Sequence, residues 1–400
     1  MADCPAATGV SRDLAGLAVL AAGLAIVPAV APSAYVMALL NIVGLYTIVT
    51  VGLILLGTSG QVSLGQAAFY GVGAYGSALL ARDLGWSPWL AMPGAVVLVV
   101  ATAYAVGLPA LRLADVFFVL ATLGVGIIVN VLMIQLDPLT GGASGLRDIP
   151  PLAIGGRLLT TDREYFYVIW TVALAALVVA RNLTTRRTGR ALRAILGSEI
   201  GAAALGIDVP RYRMRVFVLS AAYAGAAGAL YAHYVRFISP SPFALYASLF
   251  FLIMAVVGGL TNIWGGLFGA AAVTALDQIV RAQMPRLFPR IGGEYQTAIY
   301  GIVLILIMIF FPSGIARGGI DLRRLLRGDA AGPATDRPAA ADVVSGGSRK
   351  RAFGRRPRVR SEEEAWASPL TETSRRPQVP ARGDAPAPPP VGTTTENPHA

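Results

Sequence analysis

The sequence predicts an all-α membrane protein, a polytopic transmembrane bundle of about ten helices, and three observations predict it. Of its 400 residues, 55% are hydrophobic and only 14% are charged, a balance too apolar for a soluble globule. Apolar runs of about 20 residues, the length a helix needs to cross a bilayer, recur from Leu14 to Phe311. The alternation of apolar and polar residues that marks a membrane β-barrel is absent. Only helices and closed barrels satisfy their backbone in lipid, so helices remain.

The elements follow in order. Residues 1–13 read as a short polar lead, and Leu14–Ala31 is the first span, stopped by Pro32. A cleaved signal peptide is the alternative, but the lead carries only Arg12 and no clear small-residue cleavage site. Tyr35–Leu56 is the second span. Gly57–Gly65 is a polar, glycine-rich hinge, and Ala67–Ala81 is a short third span. Pro88–Leu108 and Val116–Leu136 are the fourth and fifth spans, followed by a long loop, Asp137–Glu164, and a sixth span, Tyr165–Ala180. After an arginine-rich loop, Arg181–Arg215, come Val216–Tyr234, Leu245–Gly258, Ile263–Val280 and Thr297–Phe311. The third and eighth spans are short enough to be re-entrant pieces. The transmembrane domain thus covers residues 14–312.

Charge orients the bundle. The loop at Arg181–Arg215 holds Arg186, Arg187, Arg190, Arg193, Arg211 and Arg213 between two apolar runs, and arginine accumulates on the cytoplasmic side. An even number of spans then puts both termini inside. The outer loops still hold Arg82, Arg147, Arg157, Arg163, Arg236, Arg281, Arg286 and Arg290, which the inner clusters outnumber locally. Within the basic loop, Ala191–Leu205 is rich in strong helix formers and Gly206 sits where a helix stops. A short helix lying across the inner face is a docking device and implies a cytoplasmic partner.

Residues 313–400 change character. Ala, Pro, Gly, Arg and Glu dominate and apolar periodicity disappears, so this basic segment reads as a disordered cytoplasmic tail. Its Arg349–Arg360 cluster can touch anionic lipid, and a merely solubilising tail is the alternative. The net charge of +11 lies largely in the inner loops and the tail, so topology accounts for it without nucleic acid. Cys4 is the only cysteine, which excludes an internal disulfide, a redox pair and a cysteine metal cluster.

No catalytic set is visible. The two histidines are His233 and His399, and no phosphate loop with lysine, His-Glu-x-x-His motif or nucleophile elbow occurs. No metal or cofactor is expected, and His233, near the end of a span, reads as an interfacial polar group. Gly57–Tyr75 is unusual: its glycines suit either close helix packing or an unwound hinge, while Gln61, Ser63 and Gln66 supply uncharged hydrogen-bonding groups. Asn41, Gly60, Gln61, Ser63, Gly65, Gln66, Thr122 and Asn130 are the candidates for a translocation path or hinge. Thr140, Gly141, Gly142 and Ser144 form a similar mixture on the outer side, suited to an external delivery protein or to a plain turn. Asp115 and Asp277 lie near span ends. The lack of further acids inside the spans disfavours a proton- or sodium-coupled carrier. The energy source is then outside the chain.

The run Gly60-Gln61-Val62-Ser63-Leu64-Gly65-Gln66-Ala67-Ala68-Phe69, with Gly73-Ala74-Tyr75, resembles the signature of inner-membrane permeases of branched-chain amino acid ABC importers. Thr140–Leu146, Gly189–Ile195, Ala203–Ile207, Ala224–Ala232, Val257–Leu260 with Trp264-Gly265, and Gly301–Pro312 extend the resemblance in order over about Asn41–Gly314, and it fits the larger permease type. The resemblance implies a non-catalytic channel subunit in the cell (inner) membrane. It further implies four kinds of contact: a second related permease, two cytoplasmic ATPases that use ATP and Mg, an extracytoplasmic substrate-binding protein, and membrane lipid. Glu199–Gly206 is similar to the importer loop that inserts into the ATPase, with Arg190, Arg193, Glu199, Ala202, Ala203 and Gly206 as the coupling candidates. Glu199 lies one residue further from Gly206 than in that pattern, and Gly201 replaces a helix former. A permease for urea, short amides or another small solute, and more distantly an ion-coupled secondary carrier, remain open. A membrane enzyme is a poor third.

Overall fold

The computed structural model describes residues 20–287 apart from 21, 25, 29–32, 114 and 261. The lead, the tenth span at Thr297–Phe311 and the tail lie outside these residues. Of the first expected span, residues 20, 22–24 and 26–28 are described and helical. The helices that follow are α1 (Ala34–Gly57), α2 (Gln66–Arg82), α3 (Pro88–Ala110), α4 (Asp115–Gln135), α5 (Asp137–Thr140), α6 (Asp162–Thr185), α7 (Arg187–Gly197), α8 (Glu199–Ala204), α9 (Val209–Val235), α10 (Leu245–Gly258) and α11 (Trp264–Leu287). Among the described residues, α1, α3, α4, α6 and α9 are long and apolar enough to cross a membrane. The protein is an all-α, multi-pass bundle.

Burial ranks the helices. About three quarters of the most apolar windows of α1 and α9 are buried (78% and 72%), against 28% for α3 and 17% for α4. The first two are therefore the central posts, and the last two present Val97, Leu98, Phe117, Ile128 and similar side chains outward, as lipid demands. α9 packs against α2, α3 and α1, while α6, α10 and α11 cover other faces of α1. Backbone contact replaces side-chain contact at several crossings. A Cβ on Gly73 would overlap the backbone of Gly225, and one on Gly228 would overlap the carbonyl of Tyr70. Small residues let membrane helices approach this closely, because dispersion rather than water exclusion holds them. The packing role expected of this glycine-rich stretch is thus met in α2.

The helix boundaries correct the sequence reading. α6 begins at Asp162 rather than Tyr165 because Thr161 and Glu164 form a capping box, which satisfies two otherwise orphaned N–H groups. It continues to Thr185, and α9 begins at Val209 under an Asp208 cap rather than at Val216. Both membrane helices therefore reach into the expected loop. The helix expected over Ala191–Leu205 is two helices, because Ser198 turns extended and its Oγ accepts from the Gly201 N–H at 3.1 Å, starting a new helix. The loop expected at Asp137–Glu164 holds α5, a 3-10 turn at Gly142–Ser144 and a small antiparallel hairpin, β1 (Ala153–Ile154) with β2 (Arg157–Leu158). α11 runs on to Leu287, so Asp277 lies inside a helix rather than near its end, and it accepts from Arg281 at 2.9 Å.

Candidate functional site

Two regions collect the residues singled out by sequence. The first is the arginine-rich end. α7 is amphipathic: Gly189, Ala191, Leu192 and Ile195 face inward, while Arg190, Arg193 and Leu196 face out. Gly189 has to be glycine, since a Cβ would strike the Thr184 carbonyl. Arg193 donates from Nη1 to that same carbonyl at 3.1 Å, pinning α7 to the end of α6. Arg190 points to solvent.

α8 is held at both ends. Glu199 in its first turn forms an ion pair with Arg213 of α9, whose side chain is mostly buried. Ala202 is buried with Ile195 and Val209 in a small satellite core, while Ala203 and Gly206 are exposed. Gly206 adopts φ +80°, and the Ile207 N–H donates to the Ala202 carbonyl at 3.1 Å. This is the six-to-one closure of a glycine-stopped helix. The clasp leaves Ile200 86% and Leu205 80% exposed. Beside them runs an open cleft of about 680 Å³ lined by Leu111, Arg112, Glu199, Ile200, Pro210 and Arg213.

The second region is the hinge between α1 and α2. Thr58–Gly60 form a turn with Gly60 at φ +79°, and Gln61–Gly65 are not helical. Although irregular, the segment is mostly buried: Ser59, Gln61, Ser63, Gly65 and Gln66 are all inside. Buried backbone needs partners, and side chains supply them. The Leu64 N–H donates to Thr122 Oγ1 (3.1 Å), the Gly65 N–H to Ser63 Oγ (3.2 Å) and the Ala67 N–H to Ser248 Oγ (3.0 Å). Gly65 is pressed against the Thr122 carbonyl. Gln66 donates from Nε2 to Ser220 Oγ at 2.6 Å.

The remaining candidates are scattered. Asn41 is buried and donates to the Asp162 carbonyl (2.9 Å), and Asn130 donates to the Pro240 carbonyl (3.0 Å). The first ties α1 to the start of α6, and the second ties α4 to the segment before α10. Of the other turn candidates, Thr140 and Gly142 are buried, Gly141 is half-buried, and Ser144 is exposed. Thr140 Oγ1 lies 2.7 Å from the Met133 carbonyl and accepts from the Gly142 N–H, so Thr140 builds the turn and faces inward.

Sequence reasoning missed three things. His233 is not interfacial: it is fully buried, with Nδ1 2.8 Å from the Pro150 carbonyl and Nε2 2.8 Å from Ser77 Oγ. A carbonyl only accepts, so Nδ1 carries a proton and donates to Pro150, while Nε2 is paired with the Ser77 hydroxyl. The Arg213 partner of Glu199 and the exposed Ile200 and Leu205 were also passed over. A large apolar residue in a loop of arginines is the signal that could have found the last two.

Comparison with known proteins bears on both regions. The family described as "Branched-chain amino acid transport system / permease component" matches residues 35–310. The chain belongs to this family. It is therefore a permease component, a transport subunit rather than an enzyme. The chain is similar to the high-affinity branched-chain amino acid transport system permease protein LivM of Escherichia coli (strain K12). The two are 32% identical over 296 residues, or 68% of this chain and 67% of that protein. LivM of Salmonella typhimurium gives the same identity and coverage. A probable branched-chain amino acid transport permease protein LivH of Methanocaldococcus jannaschii is 28% identical over 159 residues, 39% of this chain and 49% of its own length. No solved structure matches. The matched span contains both α7–α8 and the hinge.

Proposed function

We propose that this permease is the membrane channel of an ATP-driven importer for leucine, isoleucine, valine or related amino acids. One observation carries the reading: α8 is a pinned, two-ended clasp that offers Ile200 and Leu205 to water. Large exposed apolar groups rimmed by charge mark a protein contact. Here the contact is with one of a pair of cytoplasmic ATPases, which use ATP and Mg; this chain binds neither. A second, related permease completes the pathway, and an extracytoplasmic binding protein delivers substrate. Of the residues expected to meet that protein, Ser144 is the exposed member, with Arg147 beside it; Thr140 and Gly142 serve the turn.

Mechanically, the loaded binding protein docks on the outer face and ATP closes the ATPase pair. The push on α8 passes through the Glu199–Arg213 pair into α9 and through α7 into α6. α9 packs against α2 along its length, so movement of α9 reaches the hinge at Gln61–Gly65. The charge of the arginine-rich end supports a cytoplasmic position for it, and we read the protein as an inner-membrane one with both termini inside.

The test is ATP-driven uptake of labelled leucine by the complex reconstituted in vesicles, competed with isoleucine, valine, urea and propionamide. Competition by the branched-chain amino acids alone is the expected result. Competition by urea or propionamide would keep the architecture and replace the substrate.

A further inference from the structure

The first turn of α2 carries a feature that packing does not require. Gln66 and Tyr70 stand four residues apart and so share one face of the helix. Their relative exposures are 1% and 2%. Gln66 Oε1 and the Tyr70 hydroxyl have no hydrogen-bond partner among the described residues. Turning the amide over does not help: Ser220 engages one end, and the other stays unpaired either way. Neighbouring polar groups behave differently, since Ser63, Ser77, Thr122, Ser220 and Ser248 are all bonded. A buried polar atom without a partner carries its full desolvation cost, and an apolar side chain of the same shape would remove it.

The surroundings indicate the missing partner. Three aromatic rings surround Tyr70, with centroids 5.6 Å (Tyr231), 5.5 Å (Phe243) and 5.6 Å (Phe251) away. The turn begins where the non-helical Gln61–Gly65 segment ends, and broken helices are where transporters build binding sites. The helix N-terminus favours negative charge, while aromatic faces and a phenol oxygen favour an ammonium. Side chains four apart on a helix lie about 5–6 Å from each other at Cβ, a span suited to the two ends of one small zwitterion.

We propose that Gln66 and Tyr70 are substrate contacts for a zwitterionic α-amino acid, closed over in this conformation and exposed when the hinge at Gln61–Gly65 opens. The proposal rests on the amino acid reading above. With its amide turned over, so that Oε1 accepts from Ser220 Oγ, Gln66 takes the carboxylate through the freed Nε2 N–H. Tyr70 and the aromatic wall take the ammonium, and the rings supply apolar contact for an aliphatic side chain. Neither contact carries a full charge, so release stays easy.

Tyr70→Phe and Gln66→Met remove the unpaired atoms while nearly keeping shape. The experiment measures KM and kcat for leucine uptake by the reconstituted complex, with the thermal midpoint of each variant. The proposal expects KM to rise about tenfold in each variant while the thermal midpoint holds or increases. Unchanged KM in a stable Tyr70→Phe complex overturns the site, because the unpaired atoms then serve no substrate. A fall in both thermal midpoint and kcat at constant KM overturns it too, assigning a structural role. If the unaltered complex hydrolyses ATP but moves no leucine, the amino acid reading itself fails, and this site fails with it.

Discussion

Glu199, opening α8, is ion-paired to Arg213, one turn into α9. The Arg213 side chain is 13% exposed and the Glu199 side chain 47%. This half-sheltered pair joins the loop helix to α9, one of the two central helices of the bundle.

Breaking that link should separate stability from transport. Glu199 is half exposed, so solvent screening discounts the pair toward the value of surface ion pairs, about 0.2–1 kcal/mol. Glu199→Gln, which keeps a hydrogen-bond acceptor beside Arg213, should therefore shift the thermal midpoint only modestly. Uptake should fall several-fold relative to ATP hydrolysis, because the push on α8 no longer reaches α9. Uptake and hydrolysis falling together would show that the pair only positions the ATPase.

The exposed apolar pair makes a sharper case. Burying a Leu or Ile side chain in an interface contributes about 1.5–3 kcal/mol. Ile200→Glu and Leu205→Glu should therefore cost the docked complex one to two decades in affinity. Both residues face water, so the bundle itself should fold as before. Co-purification of the ATPase with each variant, against an unchanged thermal midpoint of the permease alone, checks this.

Gly73 and Gly124 should respond in opposite ways to alanine. At Gly73 the new methyl meets the Gly225 backbone, which cannot step aside, whereas a methyl on Gly124 meets no other part of the protein within 4 Å. Overpacking of this kind costs roughly 1–3 kcal/mol, and relief of glycine's entropy in a helix returns roughly 0.5–1 kcal/mol. Thermal midpoints should fall for Gly73→Ala and hold or rise for Gly124→Ala. Equal midpoints would mean that α2 and α9 are not in backbone contact.

His233 is expected to hold the outer segment. Beside its bond to Pro150, the Tyr165 hydroxyl donates to the His233 carbonyl (2.9 Å) and accepts from the Leu152 N–H (3.1 Å), and Leu146 pairs with Ile238. His233→Phe strands the Pro150 carbonyl and the Ser77 hydroxyl, at roughly 1–3 kcal/mol for each unpaired group. Hydrogen exchange of the Leu146, Ile149 and Leu152 amides should accelerate. Unaltered protection there would remove His233 from the account.

Much of the fold was legible because lipid imposes a simple rule on composition. The apolar runs located α1, α3, α4, α6 and α9, and Gly206 marked a helix stop. The boundaries were not legible where polar residues belong to the helix: Thr161, Glu164 and Asp208 look like loop but are caps. Ser198 hid a break for the same reason. The interior was less readable still. The partner of Gln66 is Ser220, 154 residues away, and that of Ser77 is His233, 156 residues away. No local pattern announces such pairs. Hydropathy also cannot tell that Ile200 and Leu205 face water while Thr140 faces protein, because that depends on which side of each turn is covered.

The central claim is that energy enters through α8 from outside the chain. The direct measurement is leucine uptake into vesicles containing the two permeases, with and without the ATPases, at collapsed ion gradients and with ATP and Mg supplied on the cytoplasmic side. The account predicts uptake only when the ATPases are present, and its loss when Ile200→Glu and Leu205→Glu are combined. Leucine accumulation by the permeases alone, driven by a proton or sodium gradient, would contradict it.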